Sequence, residues 1–420
     1  MKKIEISNVD QNVYYKKLDN GFEIYFLPFP SKNGYSVVLE TKFGSIDTEF
    51  NNIKVPSGIA HFLEHKMFAQ ESGEDPFSYY SKTGTNCNAS TGYKSTAYTI
   101  NGNKNIETNI EYLLNYVYAP YFTDENVEKE KGIICEELLM YEDMPDRVLI
   151  DLMYSSVFAL YKVRENVGGT VESVKKTTKE DLYNCYNVFY QPSNMFIMVS
   201  GNFDMDKVLK VIENNRLLNE AISNKPINRK KYDEPVKVYE KEKEVKLKVE
   251  LSKLAYTIKI KHNLKNIDEI FEFDLYLALF LSIMFGTSSK FREKVRNENL
   301  MTSFYASRSL YKDFFVLEFI AESHNPKKFI SYLKKAISKI DVSEEEIERT
   351  KKVWISSEVM IADNYEASLE NIAYDITEYG KMFPNKCEIY KNLNLYKFKE
   401  IMSKIDFNNS ACVIVNKKDE

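Results

Sequence analysis

The sequence predicts an α+β protein made of two similar domains that arose by internal duplication, and three observations carry that expectation. Short runs of β-forming residues alternate with long amphipathic stretches along the whole chain. A chain of 420 residues exceeds one ordinary domain and is long enough for two, each able to bury a full core. The second half also repeats the first in order. Residues Thr123–Met140 align with Ser343–Met360 at a shift of 220 positions, and Ala60–His65 align with Ala278–Ile283 at a shift of 218. Two matches at nearly one shift point to a duplicated unit of about 200 residues.

Composition limits what such a protein can do. Hydrophobic residues make up 44% of the chain and aromatics 14%, which excludes a disordered chain. The 57 basic and 62 acidic residues are interspersed and sum to a net charge of −5, so no nucleic-acid partner is expected. Cys87, Cys135, Cys185, Cys387 and Cys412 are odd in number and lack CxxC spacing, as free thiols of a reducing compartment would. No apolar segment follows the two lysines at the N-terminus, so no secretion signal is expected. The longest apolar run, Leu275–Phe285, is about half of what a bilayer needs. These features predict a cytoplasmic protein with no membrane partner.

Taken in order, Phe22–Pro28 and Tyr35–Phe43 read as the first strands, separated by the turn Pro30–Gly34. Ser57, after Pro56, is the expected N-cap of a helix that opens with Gly58–Phe68. Residues 77–82 continue helical, and Gly84–Ile100, rich in Thr and Tyr, reads as paired strands. A helix is expected over Ile106–Tyr118, ended by Pro120, and another from an N-cap at Thr123 through Tyr141. Val148–Tyr190 is helical with a break at Gly168–Gly169, and Met195–Gly201 is a buried strand. Residues 222–248 are charged and weakly patterned, as a linker or exposed edge would be. The expected domains are therefore residues 1–221 and 249–420.

Chemistry concentrates in one pentapeptide. On a helix His61, Glu64 and His65 project from one face. Two imidazoles at i and i+4 suit Zn²⁺, and a carboxylate beside them can take a proton from a water. The order is HxxEH, the reverse of the commoner HExxH. A third ligand is expected from the helix after Thr123. Seven residues amount to about 700° of rotation, so Glu130 and Glu137 share a face while Glu136 lies about 100° away. In the repeat, His61, Glu64, His65 and Glu137 fall opposite Leu279, Ser282, Ile283 and Ser357, which predicts one reactive half and one supporting half.

The HFLEH segment, the glutamate helix about seventy residues later and the paired halves together resemble the M16 family of zinc peptidases. That resemblance implies two α/β sandwich domains, each an antiparallel-rich sheet with helices packed on it, in a clam-shell arrangement. It further implies one Zn²⁺ per chain held by His61, His65 and Glu137, with Glu64 as general base and Glu130 as supporting carboxylate. Asn88, Ala89 and Thr91 match a family strand whose backbone pairs with extended substrate. Arg296 matches a substrate-contacting arginine, but Ser303 stands where a tyrosine is usual and Tyr305 is two positions out of step. The resemblance therefore implies a zinc endopeptidase of unfolded peptides or short proteins. It implies a homodimer, or a heterodimer with a similar chain that supplies the missing contacts. The rival expectation is a non-catalytic peptide-binding or scaffold subunit.

Overall fold

The computed structural model describes residues 1–418. They form two units, each assembled from three stretches of chain. The first comprises Met1–Leu139, Asn166–Lys231 and Glu358–Asn385, and the second comprises Met140–Glu165, Tyr232–Ser357 and the segment from Lys386 onward.

The first unit contains strands β1 (Lys2–Glu5), β2 (Asn12–Lys17), β3 (Glu23–Pro28), β4 (Tyr35–Thr41), β5 (Glu49–Phe50), β6 (Ile53–Lys54), β7 (Asn86–Thr91), β8 (Thr96–Gly102) and β9 (Met195–Gly201). Seven of them form a sheet of order β1-β2-β3-β9-β4-β8-β7, and β5 and β6 form a separate two-stranded ribbon. Only β3 and β9 run parallel. Every residue of β4 and β9 is buried, as expected of central strands covered on both faces. Strand β7 is an edge and alternates exposed and half-buried positions.

The second unit has β10 (Glu242–Leu247), β11 (Ser252–Lys261), β12 (Ser303–Tyr311), β13 (Phe314–Ser323) and β14 (Ser410–Lys417), in the order β10-β14-β11-β13-β12. Its strands correspond one for one to β3-β9-β4-β8-β7. The single parallel pair, β10 with β14, falls in the same place. The weak sequence repeat is thus a repeat of topology.

The first five helices of the chain are α1 (Ile59–Met67), α2 (Pro76–Lys82), α3 (Ile106–Val117), α4 (Asp124–Glu142) and α5 (Pro145–Val157). Helix α4 and its repeat Glu344–Ala362 are 19 residues each. Thr123 caps α4, its hydroxyl accepting from the Asn126 N–H at 3.1 Å while the Asn126 side chain accepts from the Thr123 N–H at 3.1 Å.

The helices that follow these two explain why the units are discontinuous. Helix α5 packs on β11 and β14, whereas its repeat Tyr365–Tyr379 packs on β4 and β9. There Leu369, Ile372, Ala373 and Ile376 close over Tyr25, Leu27, Val38 and Met198. Each sheet is therefore covered by a helix from the other half of the chain. An amphipathic pattern states that a face is buried but not which sheet buries it.

Residues 222–248 are also not a free linker. Residues 242–247 are β10, and Arg229 reaches back to Asp47 with Nε 2.6 Å from its carboxylate. Glu234 is fully buried, with its carboxylate 2.6 Å from Lys259 Nζ and accepting from the N–H groups of Ala159, Leu160 and Tyr161. The helical stretch Ile267–Asn297 reaches the length and apolarity of a membrane span, yet Phe271, Leu275, Leu277, Leu279 and Phe280 along it are buried in the core.

Candidate metal centre

Helix α1 starts from an unusual approach of two chain segments. Gly58, at φ +84°, is its N-cap, and a Cβ there would stand 2.1 Å from the Gly168 carbonyl oxygen. A Cβ on Gly169, at φ +78°, would stand 2.4 Å from the Ser57 carbonyl oxygen. Only glycine meets both demands, the left-handed backbone and the missing Cβ. Ser57 is not the cap its position suggested. Its carbonyl accepts from the Ser173 hydroxyl at 2.8 Å, and the helix has no side-chain cap.

On α1, His61 and His65 lie one turn apart with ring centroids separated by 4.6 Å. Glu137 comes to them from α4, its Oε2 3.7 Å from His61 Nε2 and 3.5 Å from His65 Nε2. The three donor atoms lie within 4.8 Å of one another. Two imidazole nitrogens and one carboxylate oxygen converging at this spacing fit a tetrahedral divalent ion with one position left over. Glu136, on the same helix, is not part of this group.

Glu130, two turns before Glu137, does not reach the donor cluster but braces it. Its Oε1 is 3.1 Å from His65 Nδ1, which fixes the ring so that Nε2 faces Glu137. Its Oε2 lies 3.8 Å from the ammonium of buried Lys66, which also donates to the Asn126 carbonyl at 3.2 Å. Glu64 is nearly buried and its Oε2 accepts from the Thr91 hydroxyl at 2.6 Å. Thr91 in turn lies 3.3 Å from the Thr96 hydroxyl, which donates to the Phe43 carbonyl.

The electrostatics separate the two imidazoles. Burial, and then the neighbouring His65, hold His61 down at about 4, against the pull of Glu137 and Glu130. Its ring is therefore neutral at neutral pH, the form that ligates. Burial also works against charge on His65, but the Glu130 bond and the charges of Glu130, Glu137 and Glu64 outweigh it and raise its pKa. Glu64 is pushed up by burial, with the Thr91 bond opposing. His61 Nδ1 is buried without a hydrogen-bond partner among the described residues, packed where a Cβ at Gly168 would stand 3.5 Å away.

The remaining positions named from the sequence are not among the three donors. Asn88 is exposed on β7 and its Oδ1 accepts from the Ala89 N–H at 2.9 Å. Ala89 pairs with Tyr98 and is half-buried. Arg296 is exposed on helix Lys290–Asn297 of the second unit, and Ser303 begins β12. The side chain that sequence reasoning missed is Thr91, read only as strand backbone. The alternation of β7 carries a signal, since Cys87, Ala89 and Thr91 are its inward positions.

Comparison with known proteins agrees with this arrangement. The family described as insulinase (peptidase family M16) matches residues 33–171, and the one described as peptidase M16 inactive domain matches residues 176–353. An uncharacterized zinc protease of Bacillus subtilis, YmfH, is 38% identical over 295 residues, covering 69% of each chain. A zinc protease of Rickettsia felis is 25% identical over 97% of this chain and 98% of its own. Among solved structures, an M16-like peptidase from Alicyclobacillus acidocaldarius superposes with a TM-score of 0.92 at 27% identity, over 98% of this chain and 99% of that one. The two matched regions divide as the chemistry does, with the donor cluster wholly inside the first, and the chain belongs to peptidase family M16.

Proposed function

We propose that the chain is a zinc-dependent endopeptidase that hydrolyses unfolded peptides or short proteins. One observation carries this reading: a nearly buried Glu64, held through one oxygen by Thr91, stands beside the His61, His65 and Glu137 donors. A subunit that only binds peptide has no use for such a carboxylate.

In this reading His61, His65 and Glu137 hold one Zn²⁺, which when bound would supply a Lewis acid and bring the pKa of a water towards about 7. Glu64 takes the proton of the attacking water and returns it to the leaving amine. Thr91 holds Glu64 Oε2, so the other oxygen is the one presented to water. Glu130 keeps His65 in the tautomer whose Nε2 carries the lone pair.

Strand β7 supplies the substrate track. Among the described residues it pairs only with β8, so its outer backbone edge is open to an extended peptide at Asn88 and Ala89, where the peptide would take over the Ala89 N–H from the Asn88 side chain. Arg296 is assigned a contact to substrate, and the working unit is assigned as a homodimer or a heterodimer with a similar chain, acting in the cytoplasm. Removal of metal tests the activity. Cleavage of a quenched peptide library should vanish with a chelator and return on adding Zn²⁺, and cleavage that survives complete metal removal refutes the proposal.

A further inference from the structure

A cavity of about 870 Å³ in the second unit lies between helix Pro326–Ser338, helix Leu395–Ser403 and the strands β11 and β14. Its floor is apolar, with Ile337, Phe398 and Met402 buried along it. Its rim carries Lys334, Lys335 and Lys399, all exposed, and no carboxylate lines it among the described residues. Among the described residues none of these three lysines makes an ion pair. Nearby acids are engaged elsewhere: Glu400 pairs with Lys397 and Lys404, and Asp406 with Lys237. In a chain of net charge −5, a concave face with three cations and no carboxylate among its described lining residues is a local exception.

The duplication shows how this cavity is built. Helix α3 and its repeat Pro326–Ser338 bury the same four positions at a shift of 220, Asn109, Ile110, Leu113 and Val117 against Phe329, Ile330, Leu333 and Ile337. They differ where the cavity lies. In the first unit the space is filled by Leu114, Tyr118 and Phe122, all buried. Tyr118 donates to Met195 Sδ at 3.3 Å, and Phe122 packs on Tyr183 with ring centroids 4.7 Å apart. The corresponding residues of the second unit are Lys334, Ser338 and Val342. Tyr to Ser and Phe to Val remove the plug, and Leu to Lys puts an ammonium over the opening, 5.6 Å from the Tyr256 ring.

We propose that this cavity binds a single-chain anionic amphiphile, a fatty-acid-type carboxylate with its alkyl chain on the Ile337, Phe398 and Met402 floor and its head among Lys334, Lys335 and Lys399. The volume falls in the range of small-molecule sites, roughly 300–1,000 Å³. An extended peptide fits less well. Strands β11 and β14 are flanked on both sides, so a peptide backbone laid there would find no ladder to join, whereas an alkyl chain has no polar groups to satisfy.

The test is displacement of the fluorescent fatty acid cis-parinarate from the intact protein by laurate or palmitate, with dodecanol, acetate and anionic phospholipid vesicles as comparison arms. Laurate should bind saturably, and each added pair of methylenes should tighten binding by up to about tenfold. Dodecanol should bind at least about tenfold more weakly, and acetate should not displace the probe. The charge-reversing pair Lys334→Glu with Lys399→Glu should lower affinity by about tenfold or more with an unchanged melting temperature. The plugging pair Ser338→Tyr with Val342→Phe should abolish binding. Equal binding of dodecanol, parent-like binding by the charge-reversed protein, or binding to vesicles without binding of free laurate overturns the proposal.

Discussion

Replacing Glu130 by Gln separates two roles that one side chain holds. Its Oε1 meets His65 Nδ1 at 3.1 Å and its Oε2 faces Lys66 Nζ at 3.8 Å. The amide still offers an oxygen to the imidazole but no charge, and a charge-assisted bond is about twice as strong as a neutral one. Loss of such a brace on a ligating histidine weakens metal binding by about 10–100-fold, so zinc competition against a chelating dye should show a drop of that size. Lys66 is 2% exposed and keeps only the Asn126 carbonyl, so the metal-free protein should lose about 1–3 kcal/mol of stability. Adding Lys66→Met removes the stranded cation. The double variant should recover the melting temperature of the metal-free protein but not the zinc affinity. Zinc affinity within twofold of the parent in Glu130→Gln, with the stability loss present, would refute the bracing role and leave Glu130 as a partner of Lys66 alone.

Three further outcomes follow from the same geometry. Glu137→Gln should lower zinc occupancy measured by atomic emission, whereas Glu136→Gln should not, because only the former reaches the two imidazoles; equal loss would contradict the donor set. Thr91→Val removes the 2.6 Å bond to Glu64 and should lower kcat by about tenfold, the order of a hydrogen bond to a charged group. Zinc content should be unchanged and Thr91→Ser should restore most of the rate. Glu234→Gln leaves the fully buried Lys259 without a counter-charge, held only by the Val157, Pro235 and Lys237 carbonyls, and should destabilise the chain by about 3–5 kcal/mol in denaturant titration, without changing zinc affinity.

Much of the site was legible because helical geometry is rigid. The i, i+4 spacing of His61 and His65 and the seven-residue spacing of Glu130 and Glu137 translate directly into shared faces. The structure brings both glutamates to His65 from opposite ends of its ring. The duplication was equally readable, since Thr123 and Ser343 begin helices of equal length. What the sequence withheld depends on distant packing. That Thr91 holds Glu64, that Gly58 interlocks with Gly168, and that α5 and Tyr365–Tyr379 cover each other's sheets are contacts between segments separated by 27 to more than 100 positions. Ser57 failed as a cap for the same reason: the close approach of Gly168–Gly169 demands glycine at the helix start and turns the serine carbonyl towards Ser173. The charged stretch 222–248 hid a buried Glu234 because composition averages over single residues that find a partner such as Lys259.

The central claim is that Glu64 moves the proton in peptide hydrolysis. Its most direct test is Glu64→Gln assayed on a quenched peptide library alongside zinc content. Cleavage should fall to background while zinc stays near one per chain and the melting temperature is retained. Cleavage at the parent rate with zinc bound would contradict the claim and point to a different base.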